Sequence, residues 1–219
     1  MLTTICRRSA TSLRAKSPSL APSHTTRRFL SKLDSNPHIF VFPDPTNPSS
    51  KLLTLLKTNP PTPQLAIGTT PTDPPKPSTF RENPQFLTIL HSVIAQNAHA
   101  DPQVKAQAAA LASSSGATLT FGNSRTTAGA AGGGGQGGYI HVSDNRHPPD
   151  FGRIAEPEDI FGSVEVDPNG TFTDGHGRYQ QSGTYRVVTR DGVLGLPDYL
   201  RARLVERLEV EEAAVRNKR

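Results

Sequence analysis

The chain has 219 residues, with 24 Lys and Arg against 19 Asp and Glu, so its formal charge is +5. It carries one Cys, one Met and no Trp, and the single cysteine is Cys6. Beyond that position disulfides, thiol catalysis, zinc–thiolate sites and Cys-ligated iron–sulfur clusters are excluded, and any metal would need His, Asp and Glu.

The positive charge is unevenly placed. Arg7, Arg8, Arg14, Lys16, Arg27, Arg28 and Lys32 lie in a Ser/Thr-rich stretch, and Asp34 is the first carboxylate. Arg-rich, Ser-rich and acid-poor composition is that of a mitochondrial transit peptide, assigned here to residues 1–33. Arg27-Arg28-Phe29 before Leu30-Ser31 has the form of a matrix processing site, with the cut after Phe29. The first arginines are not followed by the apolar core of a secretory signal. Removing residues 1–33 takes away seven bases and no acid, leaving 17 bases against 19 acids, about −2. A nucleic-acid partner is therefore not expected. No window reaches the roughly 18 apolar residues that span a membrane. Residues 34–216 are read as one globular domain in the mitochondrial matrix.

Next along the chain, His38–Phe42 is an apolar run rich in β-formers, stopped by Pro43 and Pro45. Ser49 or Ser50 is expected to cap a short helix through Leu52, Leu53, Leu55 and Leu56. Pro60, Pro61 and Pro63 end it, and Leu65–Gly68 supplies a second strand. This part reads as a β-α-β unit. Residues 69–82, with Pro71, Pro74, Pro75 and Pro77, read as an extended linker.

Asn83-Pro84 and Asp101-Pro102 each combine an N-cap with a proline at the first helical position. Phe86, Leu87, Leu90, Val93 and Ile94 share one face of the first helix. Val104, Ala108 and Leu111 form a thinner face on the second. Residues 118–121 suggest a short strand, and 122–137 a flexible Gly-rich loop. That glycine run has no Lys entering a helix, so it is not read as a phosphate cradle.

The C-terminal part is strand-rich. Tyr139–Val142, Ile160–Val166 broken by Gly162, and Gly183–Thr189 are expected strands. A last helix starts at Pro197, with Leu200, Leu204, Leu208 and Val215 as its stripe. The expected fold is α/β or α+β, a single mixed sheet with helices packed on it and a disordered N-terminus. The same order of elements occurs in thioredoxin-like folds, whose redox cysteine pair this chain lacks.

One segment is dense enough in chemistry to be a site. After Tyr139–Val142 comes a loop carrying His141, Asp144, Arg146, His147, Asp150, Arg153, Glu156, Glu158 and Asp159. Metal binding by His141, Asp144 and His147 would suit hard-ligand hydrolytic chemistry, but His-x-x-Asp-x-x-His is not a recognised ligand spacing. Asp150 with Glu158 or Asp159 could act as an acid/base pair in a pocket. The plainer reading is that Arg146 and Arg153 bridge these carboxylates and brace the loop. No Gly-x-Ser-x-Gly elbow is present. No metal or cofactor is assigned.

The stretches GYIHVSDxRxPPDFGRI (138–154), PEDIFGSV (157–164) and GTYRVVTxDG (183–192) resemble an uncharacterised fungal mitochondrial protein family. The resemblance implies a mitochondrial address and carries no catalytic residue. The expected function is a non-catalytic protein that binds another mitochondrial protein or assembly. The alternative is a small hydrolase or metal-assisted enzyme using the loop at 141–159.

Overall fold

The computed structural model describes residues 31–117, 137–149 and 153–217. Residues 1–30 of the leader expected at 1–33, the strand expected at 118–121, the Gly-rich loop apart from Gly137, and Asp150 lie outside the described residues, whereas the last three residues of that expected leader form a strand.

The fold is α+β. β1 (Ser31–Leu33), β2 (Asn36–Pro43), β3 (Lys51–Thr54), β4 (Gly68–Thr70) and β5 (Arg81–Glu82) form an antiparallel sheet in chain order. α1 (Pro84–Asn97) and α2 (Pro102–Ala117) follow. β6 (Gly138–Ser143), β7 (Ile160–Val166) and β8 (Gln180–Gln181) make a three-stranded antiparallel sheet. β9 (Val188–Thr189) and β10 (Gly192–Val193) form a small ladder, and α3 (Asp198–Asn217) closes the described chain.

The single mixed sheet is therefore corrected to three sheets, and every strand pair is antiparallel. No thioredoxin-like order survives. The β-α-β unit is overturned by the leucine doublets. Leu52 and Leu53 are both buried because they belong to a central strand covered on both faces, a pattern that resembles a short helix. Leu53 joins Ile39 and Val41 in the main core, while Leu52 joins Phe40, Phe42 and Ala66 in a second cluster.

The serines expected to cap a helix instead make a hairpin turn. Asp44 Oδ1 accepts from the N–H and hydroxyl of Thr46 at 2.8 and 2.6 Å, and Oδ2 from the Ser50 hydroxyl at 2.9 Å. The 69–82 linker is also partly sheet, since β4 and β5 pair at Gly68↔Glu82 and Thr69↔Arg81. A Cβ at Gly68 would collide with the Arg81 carbonyl and the Phe80 ring, so glycine permits this approach.

The helix starts match their signals. The Asn83 side chain accepts from Gln85 N at 3.0 Å. Asp101 Oδ1 accepts from Gln103 N and Val104 N at 2.8 and 3.2 Å. α1 and α3 pack together. Phe86, Leu90 and Ile94 of α1, Leu200, Leu204 and Leu208 of α3, and Phe161 of β7 are fully buried in one shared core. Each such side chain contributes roughly 1.5–3 kcal/mol.

The α3 stripe continues through Glu212 rather than Val215. Glu212 is buried and accepts from the hydroxyls of Thr58 and Thr62 at 2.6 and 3.0 Å, which ties α3 to the segment after β3. Among the described residues, no helix is long and apolar enough to cross a membrane.

Candidate functional site

The charged loop leaves β6 at Ser143 and returns to β7 through a 3-10 turn at Pro157–Asp159. Asp144 N donates to Asp159 O and Asn145 N to Gly195 O, both at 2.7 Å. These bonds draw the two ends of the loop together and fasten them to the segment before α3. Three charged side chains are thereby buried, with exposures of 0% for Asp144 and 3% for Arg146 and Asp159.

Arg146 is the centre of this group. Its Nε donates to Asp159 Oδ1 at 2.6 Å and its Nη1 to Val187 O at 2.8 Å. Its Nη2 donates to Glu158 O at 3.0 Å and Arg186 O at 2.6 Å. The planar fork thus holds the loop against the chain at 186–187, which a lysine could not reproduce. The guanidinium also lies 5.5 Å from the centre of the Tyr185 ring.

Asp144 is satisfied from three directions. Oδ1 accepts from the N–H groups of Arg146 and Gly195 at 2.9 and 2.8 Å, and Oδ2 accepts from the Tyr185 hydroxyl at 3.1 Å. Its Oδ2 is 3.8 Å from Arg146 Nε. Burial pushes the Asp144 carboxyl above its ordinary range, outweighing Arg146 and the three hydrogen bonds, which pull it down. Burial also pushes the Tyr185 phenol well up, reinforced by the Asp144 charge. Gly195 is required here, because a Cβ would sit 2.8 Å from both Arg146 N and Asp144 Oδ1.

The candidate residues therefore divide. Asp144, Arg146 and Asp159 converge, but as a closed brace. His141 is half-buried within β6, its Nδ1 2.9 Å from Ser163 Oγ across the ladder. His147 and Glu158 are exposed. Arg153 is exposed and makes no ion pair among the described residues, so the described carboxylates are braced by Arg146, while a bridge from Arg153 to Asp150 lies outside the described residues. Glu156 instead pairs with Arg190 at 3.2 Å on the surface. Among the described residues, no three His, Cys, Asp or Glu side chains are placed to hold a metal ion.

Two contributors were missed in the sequence. Tyr185 stands within the strand expected over Gly183–Thr189, of which only Val188–Thr189 is strand; Tyr185 itself precedes it in irregular chain turned toward the brace. Glu82, whose Oε1 accepts from Val187 N at 2.9 Å, links β5 to the same chain segment. Beside the brace lies an open cleft of about 620 Å³, walled by Glu82, Glu156, Glu158, Arg186 and Arg190 with Phe80.

No family model, curated protein or solved structure matches the chain.

Proposed function

We propose that the chain is a mitochondrial matrix protein that works by binding another protein or an assembly, without catalysis of its own. The observation that carries this reading is the fate of the loop's chemistry. Its buried charges are spent on the Arg146 brace, and His147, Arg153 and Glu158 remain outside on a stiffened surface. A reactive centre needs unsatisfied groups converging in a pocket. A rim of mixed charge around an open cleft suits recognition of another protein.

The address rests on the basic, acid-free stretch at 1–33 and on the resemblance to fungal mitochondrial proteins. The near-neutral remainder argues for a protein partner over a nucleic acid.

The test has two arms. Residues 1–35 fused to a fluorescent protein should reach mitochondria, and cytosolic or nuclear fluorescence removes the address. Crosslinking with mass spectrometry in intact mitochondria should return a recurrent partner at 141–159. Its crosslinks should vanish in the folded triple variant His147→Ala, Arg153→Ala, Glu158→Ala. A partner retained by that variant would move the interface away from the loop.

A further inference from the structure

A second buried polar pair lies on α1, outside the loop. His91 is 8% exposed, and its Nδ1 is 3.0 Å from the Tyr179 hydroxyl. That hydroxyl is 2.9 Å from the carbonyl oxygen of Phe161. Tyr179 is held there because its ring lies against Gly162, where a Cβ would meet the ring at 2.6 Å. β7 runs unbroken through Gly162 because that residue pairs with Val142 of β6 and Gln181 of β8.

The hydrogen-bond arithmetic assigns the tautomer. Two oxygens 2.9 Å apart need a hydrogen between them, and only the tyrosine has one. With that proton committed, His91 Nδ1 must carry a hydrogen and donate it to the Tyr179 oxygen. Nε2 is left with its lone pair.

That lone pair has no partner among the described residues. Among the described residues, the buried side-chain atoms without a partner are Thr72 Oγ1, His99 Nδ1 and Asp101 Oδ2. His91 Nε2 is not among them and no described residue hydrogen-bonds it, so among the described residues it is not sealed in the core. His91 lines a cleft of about 570 Å³ between α1 and Tyr179, lined also by Pro84, Leu87, Ser92, Ala95 and Gln181.

We propose that this cleft binds an uncharged small molecule that donates a hydroxyl or N–H to His91 Nε2 and lays an apolar ring or chain against Pro84, Leu87 and Ala95. No charged side chain lines the cleft. An ionised carboxylate or phosphate would face the His91 lone pair with an acceptor of its own and find only the neutral donors of Thr88, Ser92 and Gln181, with no cation to offset its charge. A metal ion would find one nitrogen and no second strong ligand. Burial pushes the His91 imidazole below its ordinary range, which keeps the lone pair free at neutral pH. Burial pushes the Tyr179 phenol up, so the relay keeps its proton. The inference stands apart from the loop and its partner.

The test uses the whole chain with ¹⁵N-labelled histidine, and phenol and benzoate as probes at neutral pH. Long-range ¹H–¹⁵N spectra should show His91 protonated on Nδ1. Phenol should shift its Nε2 saturably while benzoate leaves it unmoved. Tyr179→Phe should release the tautomer and weaken phenol binding several-fold. If that variant does not fold, the tautomer and the phenol–benzoate contrast in the unaltered chain still decide. An Nε2–H tautomer, no shift with phenol, or equal binding of benzoate would overturn the proposal.

Discussion

The Arg146 brace and the His91–Tyr179 pair are both buried polar arrangements, and both touch Tyr185. Its hydroxyl reaches Asp144, and its ring meets His91 edge-on at 6.4 Å. The brace is closed: Asp144 takes three hydrogen bonds and Arg146 donates four from its side chain. The pair is open, with one nitrogen left toward a cleft. Density of charge in the sequence pointed to the first region. The closed network uses up its own groups, whereas the open pair keeps an acceptor beside a cleft.

The largest effect should come from breaking the closed network. Arg146→Ala leaves two buried carboxylates without their cation and should cost about 3–5 kcal/mol in urea unfolding. Arg146→Lys should recover little, since an ammonium cannot span the same acceptors. A normal unfolding midpoint for Arg146→Ala would show that the brace does not hold the loop.

A smaller loss is expected from Tyr185→Phe, about 1–3 kcal/mol by the same measurement. It keeps the ring and removes only the donor to Asp144 Oδ2. A loss equal to that of Arg146→Ala would make the tyrosine, not the arginine, the centre of the brace.

Acid should act first through two histidines, one of them in the open pair. His91 is held below its ordinary 6.5 by burial, and His99 by burial and then by the charges of His176 and Lys105. Below 6.5 the unfolded chain takes up protons that the folded chain refuses. Stability should therefore fall as pH drops through that value. Asp144, raised above 3.8, acts in the opposite sense, because near that pH the folded chain binds the extra proton. Unfolding midpoints at about pH 7.5 and about pH 5.5 give the first slope. A flat profile would mean that the fold holds neither histidine neutral.

The smallest effect is expected from Arg153→Ala, within about 0.5 kcal/mol of the unaltered chain. The guanidinium is exposed and pairs with nothing among the described residues. A larger loss in thermal unfolding would restore the loop-bracing role to Arg153.

The helices were legible because their starts carry local chemistry: Asn83-Pro84 and Asp101-Pro102 cap their own next turns. The leucine doublet at 52–53 was not, since only the neighbouring strands reveal that both faces are covered. Asp144, Arg146 and Asp159 were visible as a cluster. Their closure was hidden, because Tyr185 and Gly195 lie 41 and 51 residues from Asp144. His91 carries no local signal on α1, and its partner Tyr179 comes 88 residues later.

β1 is three residues long and forms the outer edge of the five-stranded sheet, pairing Ser31↔Val41 and Lys32↔Phe40. A cut after Phe29 leaves it whole. A cut only a few residues further in would strip it and bare the backbone of Ile39-Phe40-Val41-Phe42, an uncharged run of strong β-formers. Such an edge is a template for strand addition between chains. On the proposed cleavage after Phe29, accurate trimming would also be a safeguard against aggregation, with Lys32 as the charged sentinel on the edge.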